Sequence, residues 1–378
     1  MSSSPDNDTA YHDLARIFSA RHKDNSVLEI EILPPGLGPF LHDGNSIGVA
    51  KKHLVQAFVT ARRIFFGASN ELSSPHDRAS DDHEHKTPPS GSQVGKHRDS
   101  ILNSTEIILL FDCEHLTACN WRKRHLAALI QRHESTHANH VSSETLIREL
   151  EAELSLMTTY LCSPLHRHTK SPTLWGHRLW VLTRLFRVRE RGLAQRTVKG
   201  GQGNIALLEL TQEVLRSELP AVLLSGQRHP KNYYAFTYIR QLLDYLSGIG
   251  GEAGDTERAS TLLARLIVNP TLDWCLAHPS DISGWSFTVY LLELVREEEI
   301  RTDSIERVVR FALDVGWEGE SLWTAVDLAT RFPRARELVG NWQSRPLQDA
   351  SIAPALSDTR EEMGWKGWLN RARTTWAA

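Results

Sequence analysis

The sequence predicts an all-α protein assembled from helical hairpin repeats, and three observations carry that prediction. Apolar residues recur at helical spacing through most of the chain. A large aromatic opens one predicted helix after another, and strand-like alternation is confined to a short stretch near the N-terminus.

Within residues 26–33 the run Val-Leu-Glu-Ile-Glu-Ile-Leu alternates apolar and acidic positions and stops at Pro34-Pro35, which suits a short N-terminal extended arm. From Val49 to Phe66 the spacing becomes helical, with Leu54, Phe58, Ala61, Ile64 and Phe65 on one side and Lys51, Lys52, Arg62 and Arg63 elsewhere. Residues 1–66 are therefore expected to form an arm and a helix. Residues 67–100 are rich in Ser, Pro, Asp, His and Gly and poor in apolar side chains, so a disordered insert is expected there.

Residues 101–330 carry the main helical signal. Leu146, Leu150, Leu154, Met157 and Leu161 make one apolar stripe, and Leu262, Leu263, Leu266 and Ile267 make a shorter one. Asp303-Ser-Ile-Glu306 reads as a capping box before Val308, and the glycines at 200–201 and 248–251 read as helix stops or loops. Residues 331–378 are expected to be a helical tail.

Composition narrows function. With 43 Lys and Arg against 46 Asp and Glu, the net charge is -3, which gives no electrostatic footprint for nucleic acid or an anionic membrane. The four cysteines, Cys113, Cys119, Cys162 and Cys275, are scattered without a Cys-x-x-Cys pair, which argues against a disulfide framework or a thiolate zinc site. No run of about 20 apolar residues is present and the N-terminus is polar, so a cytoplasmic protein without a signal peptide or membrane span is expected.

The repeat appears as Thr117-Ala-Cys-Asn-Trp121-Arg-Lys-Arg124, as Lys170-Ser-Pro-Thr-Leu-Trp175-Gly-His-Arg178, and as Pro230-Lys231-Asn-Tyr-Tyr-Ala-Phe236-Thr-Tyr-Ile-Arg240. Weaker copies follow at Asp281-Ile-Ser-Gly-Trp285 and Gly319-Glu-Ser-Leu-Trp323. Each sets a cap-like segment before a helix whose first turns carry an aromatic. Trp121, Trp175, Phe236, Trp285 and Trp323 are accordingly expected to be repeat-core residues that pack the hairpins. Arg124, Arg178 and Arg240 are expected to make hydrogen bonds between repeats or to face solvent.

These copies resemble the protein prenyltransferase alpha-subunit repeat, whose helix opens with Lys-Asn-Tyr-x-x-Trp-x-x-Arg. The stretch Asn25–Phe66 looks more like the divergent prenyltransferase alpha-subunit-repeat-containing proteins than like the alpha subunits of farnesyltransferase or the Rab enzyme. The resemblance implies an alpha-alpha superhelix, a crescent of hairpins that wraps a separate beta subunit holding the catalytic zinc and the isoprenoid diphosphate. It thus implies an alpha-type subunit of a protein prenyltransferase, inactive without its partner and with no cofactor of its own, which helps present a protein substrate for geranylgeranyl or farnesyl transfer to cysteine. Residue-by-residue matching nominates Lys170, Lys231 and Tyr233 as the catalytic contribution, a cation or hydroxyl beside departing diphosphate. Pro230 is expected at a first-turn position. Pro172, Phe236, Thr288 and Val326 depart from the repeat pattern.

Two other readings compete. One is a non-catalytic helical-repeat interaction scaffold. The other is a zinc metallopeptidase, because His133-Glu-Ser-Thr-His137 matches His-Glu-x-x-His, with His140, Glu151 or Glu153 conceivable as a further ligand. The segment around it has almost no apolar residue to bury such a helix. His76, His83, His85 and His97 have irregular spacing and preform no metal geometry. Gly200-Gly-Gln-Gly203 is preceded by no strand and followed by no Lys-Ser pair, so it reads as a turn.

Overall fold

Helices carry both units into which the chain divides, Met1–Gly203 and Asn204–Ala378. The computed structural model describes residues 5–72, 91–135, 140–197, 203–250, 253–341 and 364–377.

The first unit runs α1 (Pro5–Asp24), β1 (Glu29–Leu33), β2 (Phe40–Asp43), β3 (Ser46–Ala50), α2 (Lys51–Leu72), α3 (Gly91–Phe111), α4 (Leu116–Ser135), α5 (His140–Cys162), a 3-10 turn (His168–Lys170) and α6 (Pro172–Thr197). The expected arm is more than an arm. Its polar N-terminus is helical over α1, whose Tyr11, Leu14, Ile17 and Phe18 form a buried stripe that the surrounding polar residues mask in the sequence. The strand expected within residues 26–33 is present as β1, in a three-stranded sheet ordered β1-β3-β2, with β1 parallel and β2 antiparallel to β3. Hydroxyls at the C-terminal end of α5 and just past it close the outer edge at the start of β1: Leu28 N–H donates to Thr159 Oγ1 at 3.0 Å and Ile30 N–H to Ser163 Oγ at 2.9 Å. Those two hydroxyls stand one helical turn apart, so a helix finishes the sheet.

The expected insert is helical at both ends, since α2 continues to Leu72 and α3 starts at Gly91. Once a helix is nucleated by packed residues such as Phe65 or Ile107, each further residue adds a hydrogen bond at little cost, so it can extend past its apolar stripe. Residues 73–90, including His76, His83 and His85, lie outside the described residues. The stripe expected on α5 meets α4 and α6 in a core of Leu126, Leu146, Leu150, Val181, Leu185 and Val188. Each such side chain contributes about 1.5 to 3 kcal/mol by leaving water.

The second unit runs α7 (Gly203–Arg228), α8 (Tyr233–Ser247), a 3-10 turn (Gly248–Gly250), α9 (Ala253–Ala277), α10 (Ile282–Leu294), α11 (Glu298–Asp314), α12 (Glu320–Ala329), α13 (Pro333–Asn341) and α14 (Trp365–Trp376). Phe236 of α8 meets Trp274 of α9 and Phe287 of α10, both at 5.6 Å between ring centres. The stretch read as a capping box, 303–306, lies inside α11, which starts at Glu298 with acidic residues complementing its first turn. Ser304 bonds back to the Ile300 carbonyl instead of capping. No helix among the described residues is long and apolar enough to cross a membrane.

Candidate functional site

The turns that open α4, α6, α8, α10 and α12 share one construction. A cap residue ends the turn, and the position four residues on is buried. At α6, Ser171 Oγ accepts from Leu174 N–H at 3.1 Å. At α8, Asn232 Oδ1 accepts from Ala235 N–H at 3.3 Å, and at α10, Asp281 Oδ1 accepts from Ser283 and Gly284 N–H at 2.9 and 3.0 Å. His115 Nδ1 does the same for Ala118 N–H at α4. Gly319 caps α12 without a side chain, because a Cβ there would stand 2.7 Å from the Trp317 indole.

Counting four residues from each cap places Cys119, Trp175, Phe236, Trp285 and Trp323 in one register, all buried. Three of them make the same bond. The indole N–H of Trp175 donates to the Thr169 carbonyl at 2.9 Å, that of Trp285 to Pro279 at 2.9 Å, and that of Trp323 to Trp317 at 2.7 Å. Each acceptor lies six residues upstream, so each indole fastens the turn before its own helix. Phe236 keeps the packing without the bond.

Trp121 falls two residues beyond this register. It is half-buried, stacked on His125 at 5.4 Å and edge-on to Phe65. The aromatic signal that drew attention to it therefore misaligned the first copy, whose buried position is Cys119 and whose repeat arginine is Arg122 rather than Arg124. Arg124 is exposed and bonds within its own helix. Arg178 is in register and donates to the Leu154 carbonyl and Thr158 Oγ1 on α5. Arg240 stands one residue late. It crosses to α10, donating to Ser286 Oγ at 3.0 Å and lying over the Phe287 and Tyr290 rings.

Successive openings are tied in series within each unit. Ser171 Oγ donates to the Cys113 carbonyl at 3.2 Å, and Thr173 bonds Glu114, joining α6 to the turn before α4. Lys231 N–H donates to Asp281 Oδ2 at 2.6 Å, and Ser321 Oγ donates to the Ser280 carbonyl at 3.0 Å.

The three nominated residues sit on this framework. Lys170 ends the 3-10 turn of the first unit and is half-buried beside the Ser171 cap. Lys231 and Tyr233 belong to the second unit, on either side of the Asn232 cap. Both side chains are exposed, with Tyr233 packed on Tyr234 at 4.0 Å. A hydrogen bond with Tyr234 raises the Tyr233 phenol above its ordinary value. Lys231 has φ 60°, a left-handed conformation that a side chain opposes, and the buried Asp281 carboxylate holds it there. Pro230 is not in a first turn but two residues before the cap, whereas Pro172 opens α6 in first-turn position.

Sequence reasoning missed a buried charge network beneath the first openings. Arg122 of α4 uses all five of its donors: Nε and Nη2 clamp Glu153 of α5 at 2.8 and 2.6 Å, Nη2 also reaches Glu106 of α3, and Nη1 serves Thr105 Oγ1 and the Leu102 carbonyl. Arg21 of α1 bonds Glu106 at 3.2 Å, and His177 of α6 bonds Glu153 at 2.6 Å. Burial alone would raise the Glu153 carboxyl, but the Arg122 charge and the bonds from His177 and Arg122 hold it well below the carboxylate range. The sequence held one usable signal, the placement of Arg122 and Arg178 each seven residues past a cap.

The His-Glu-x-x-His segment is engaged otherwise. His133 Nε2 bonds Ser143 Oγ at 2.9 Å and Glu134 pairs with Arg191 at 2.6 Å. Glu151 pairs with Arg189, Glu153 is committed to Arg122, and His137 lies outside the described residues. Among the described residues no three His, Cys, Asp or Glu groups converge as a metal site.

These features define a helical-hairpin repeat protein with indole-fastened repeat openings. No family model matches the chain. It is 26% identical over 211 residues to protein prenyltransferase alpha subunit repeat-containing protein 1 of Homo sapiens, across 55% of this chain and 44% of that protein. The corresponding proteins of Danio rerio and Xenopus laevis are 26% and 24% identical over 201 and 237 residues, 53% and 61% of this chain and 39% and 47% of theirs. The chain is thus a relative of the prenyltransferase alpha-subunit-repeat-containing proteins, and its matches span less than half of their length.

Proposed function

We propose that the chain is the alpha-type subunit of a cytoplasmic protein prenyltransferase, paired with a separate zinc-bearing beta subunit that binds the isoprenoid diphosphate and the protein substrate's cysteine. The observation that carries this reading is the opening of α8. There the Lys-Asn-Tyr signature leaves an ammonium and a phenol exposed at one helix start, while Asp281 fixes the backbone beneath them in a conformation lysine does not prefer. Strained backbone held by its surroundings is a common mark of functional positions. Charge building on departing diphosphate would be stabilised by such a pair; Lys170, at the opening of α6 in the first unit, is a separate candidate for the same role. The names of the relatives support the repeat type; the transfer activity is our inference.

The test reconstitutes the full chain with candidate beta subunits and measures complex formation and single-turnover transfer. Lys231→Ala is expected to lower transfer by about tenfold to a few hundredfold, the loss of a charge-assisted contact of roughly 1.5 to 3 kcal/mol, with complex formation nearly unchanged. The chain alone is expected to transfer nothing. A complex whose transfer is indifferent to Lys231→Ala, Lys170→Ala and Tyr233→Phe would leave the chain an interaction scaffold.

A further inference from the structure

We propose that the outer face of α2 docks an acidic amphipathic helix of a protein partner. This goes beyond the prenyl-transfer reading and stands without it. Lys52, Val55, Val59, Arg62 and Phe66 are exposed and recur at steps of three and four residues, which draws one seam about 21 Å long down the helix. Val55, Val59 and Phe66 keep 37%, 53% and 36% of their surface open. β-branched residues lower helix propensity and gain nothing from packing at such positions, so two exposed valines in one seam suit a surface that becomes buried.

Charge identifies the occupant. From Lys51 to Gly67 the helix carries Lys51, Lys52, Arg62 and Arg63 and no carboxylate. Elsewhere the chain neutralises surface arginines, as in Arg265 with Glu297, Arg307 with Asp273 and Arg310 with Glu306. Among the described residues no ion pair is made by Lys51, Lys52 or Arg62; Arg62 lies instead over the Phe58 and Phe66 rings, at 5.6 and 5.5 Å. A seam one residue wide with an arginine inside it fits a single facing helix, whose flanking Asp and Glu would meet these cations. Burial in a bilayer surface calls for a broader apolar face.

The experiment titrates the full chain against a stapled synthetic helix with Leu along its seam and Glu on both flanks, read by fluorescence anisotropy. Saturable binding that weakens with salt is expected. Val59→Ser and Arg62→Glu should each weaken it by about tenfold or more, and thermal unfolding should stay unchanged because both sites are exposed. The same helix with Lys in place of Glu should not bind. Failure of the acidic helix to bind, or equal binding by wild type and both variants, would overturn the proposal. So would capture of the chain by vesicles of phosphatidylcholine and phosphatidylserine in equal parts, lost in the same variants, without binding of the acidic helix.

Discussion

Seven residues past the cap, the first unit places arginines, Arg122 and Arg178, whereas the second places Ile239, Thr288 and Val326. In the first unit that position feeds, through Arg122, a buried ionic network drawn from five helices, while Arg178 bonds the Leu154 carbonyl and the Thr158 hydroxyl on α5. In the second it packs among apolar and aromatic side chains, with one hydroxyl, Thr288, bonded to Gly284 and Cys275. One repeat geometry therefore tolerates two kinds of interior, the ionic one even with Arg21 Nε and Glu106 Oε2 buried without a hydrogen-bond partner. An ionic interior adds little net stability over an apolar one, but it is costly to break.

The largest expected effect follows from that asymmetry. Arg122→Ala takes from buried Glu153 and Glu106 the cation they share, leaving them only His177 and Arg21, and should cost about 3 to 5 kcal/mol. Thr288→Val in the second unit removes one weakly bonded hydroxyl and should cost about 1 to 2 kcal/mol. Urea unfolding of the two variants measures both; equal losses would erase the distinction between the interiors.

Acid should widen the difference next. His168 in the first unit is pulled down to about 4 by burial, against an ordinary 6.5, although its bond to the Leu109 carbonyl opposes the shift. A lowered histidine is folded in its neutral form, so its contribution is intact above pH 6.5 and fades as pH falls from there toward 4. The gap corresponds to about 3 kcal/mol. Hydrogen exchange should show the first unit loosening across this range before the second, and His168→Gln should weaken the dependence, leaving the part due to His125, which burial also pulls down to about 4.

The indole bonds give a smaller effect. Trp323→Phe and Trp175→Phe each remove one donor to a turn carbonyl and should cost about 1 to 2 kcal/mol by thermal unfolding. Phe236, which lacks the donor by nature, predicts that such variants still fold.

Much of this architecture was legible because its signals are local. Alternation announced β1, the stripe from Leu146 to Leu161 announced α5, and the caps with their aromatics announced four of the five openings. The first opening was misplaced because its register position is the small Cys119, while an aromatic two residues later, Trp121, imitates the motif. α1 was hidden because its apolar stripe is short and set among polar residues. The network of Arg21, Glu106, Arg122, Glu153 and His177 was invisible for a different reason. Charged residues on a helix ordinarily face water, and only tertiary packing brings groups from residues 21 to 177 together. Lys231 and Tyr233 could be named from the motif, but the strain beneath Lys231 depends on Asp281, fifty residues away.

That strain supplies the smallest expected effect and separates two roles for Lys231. At φ 60° a lysine is disfavoured by about 1 to 2 kcal/mol, and glycine is not. Lys231→Gly keeps the backbone N–H that bonds Asp281, relieves the strain and loses part of the gain to the greater freedom of glycine in the unfolded chain. The variant should therefore be more stable than wild type by about 0.5 to 1 kcal/mol in chemical denaturation. Lys231→Ala, which keeps the Cβ, should change stability by no more than about 0.5 kcal/mol. If the amine acts on departing diphosphate, both variants must lose transfer together despite moving apart in stability. A Lys231→Gly chain that is stabilised and still transfers at the wild-type rate in complex would show that the strained turn serves the repeat junction alone.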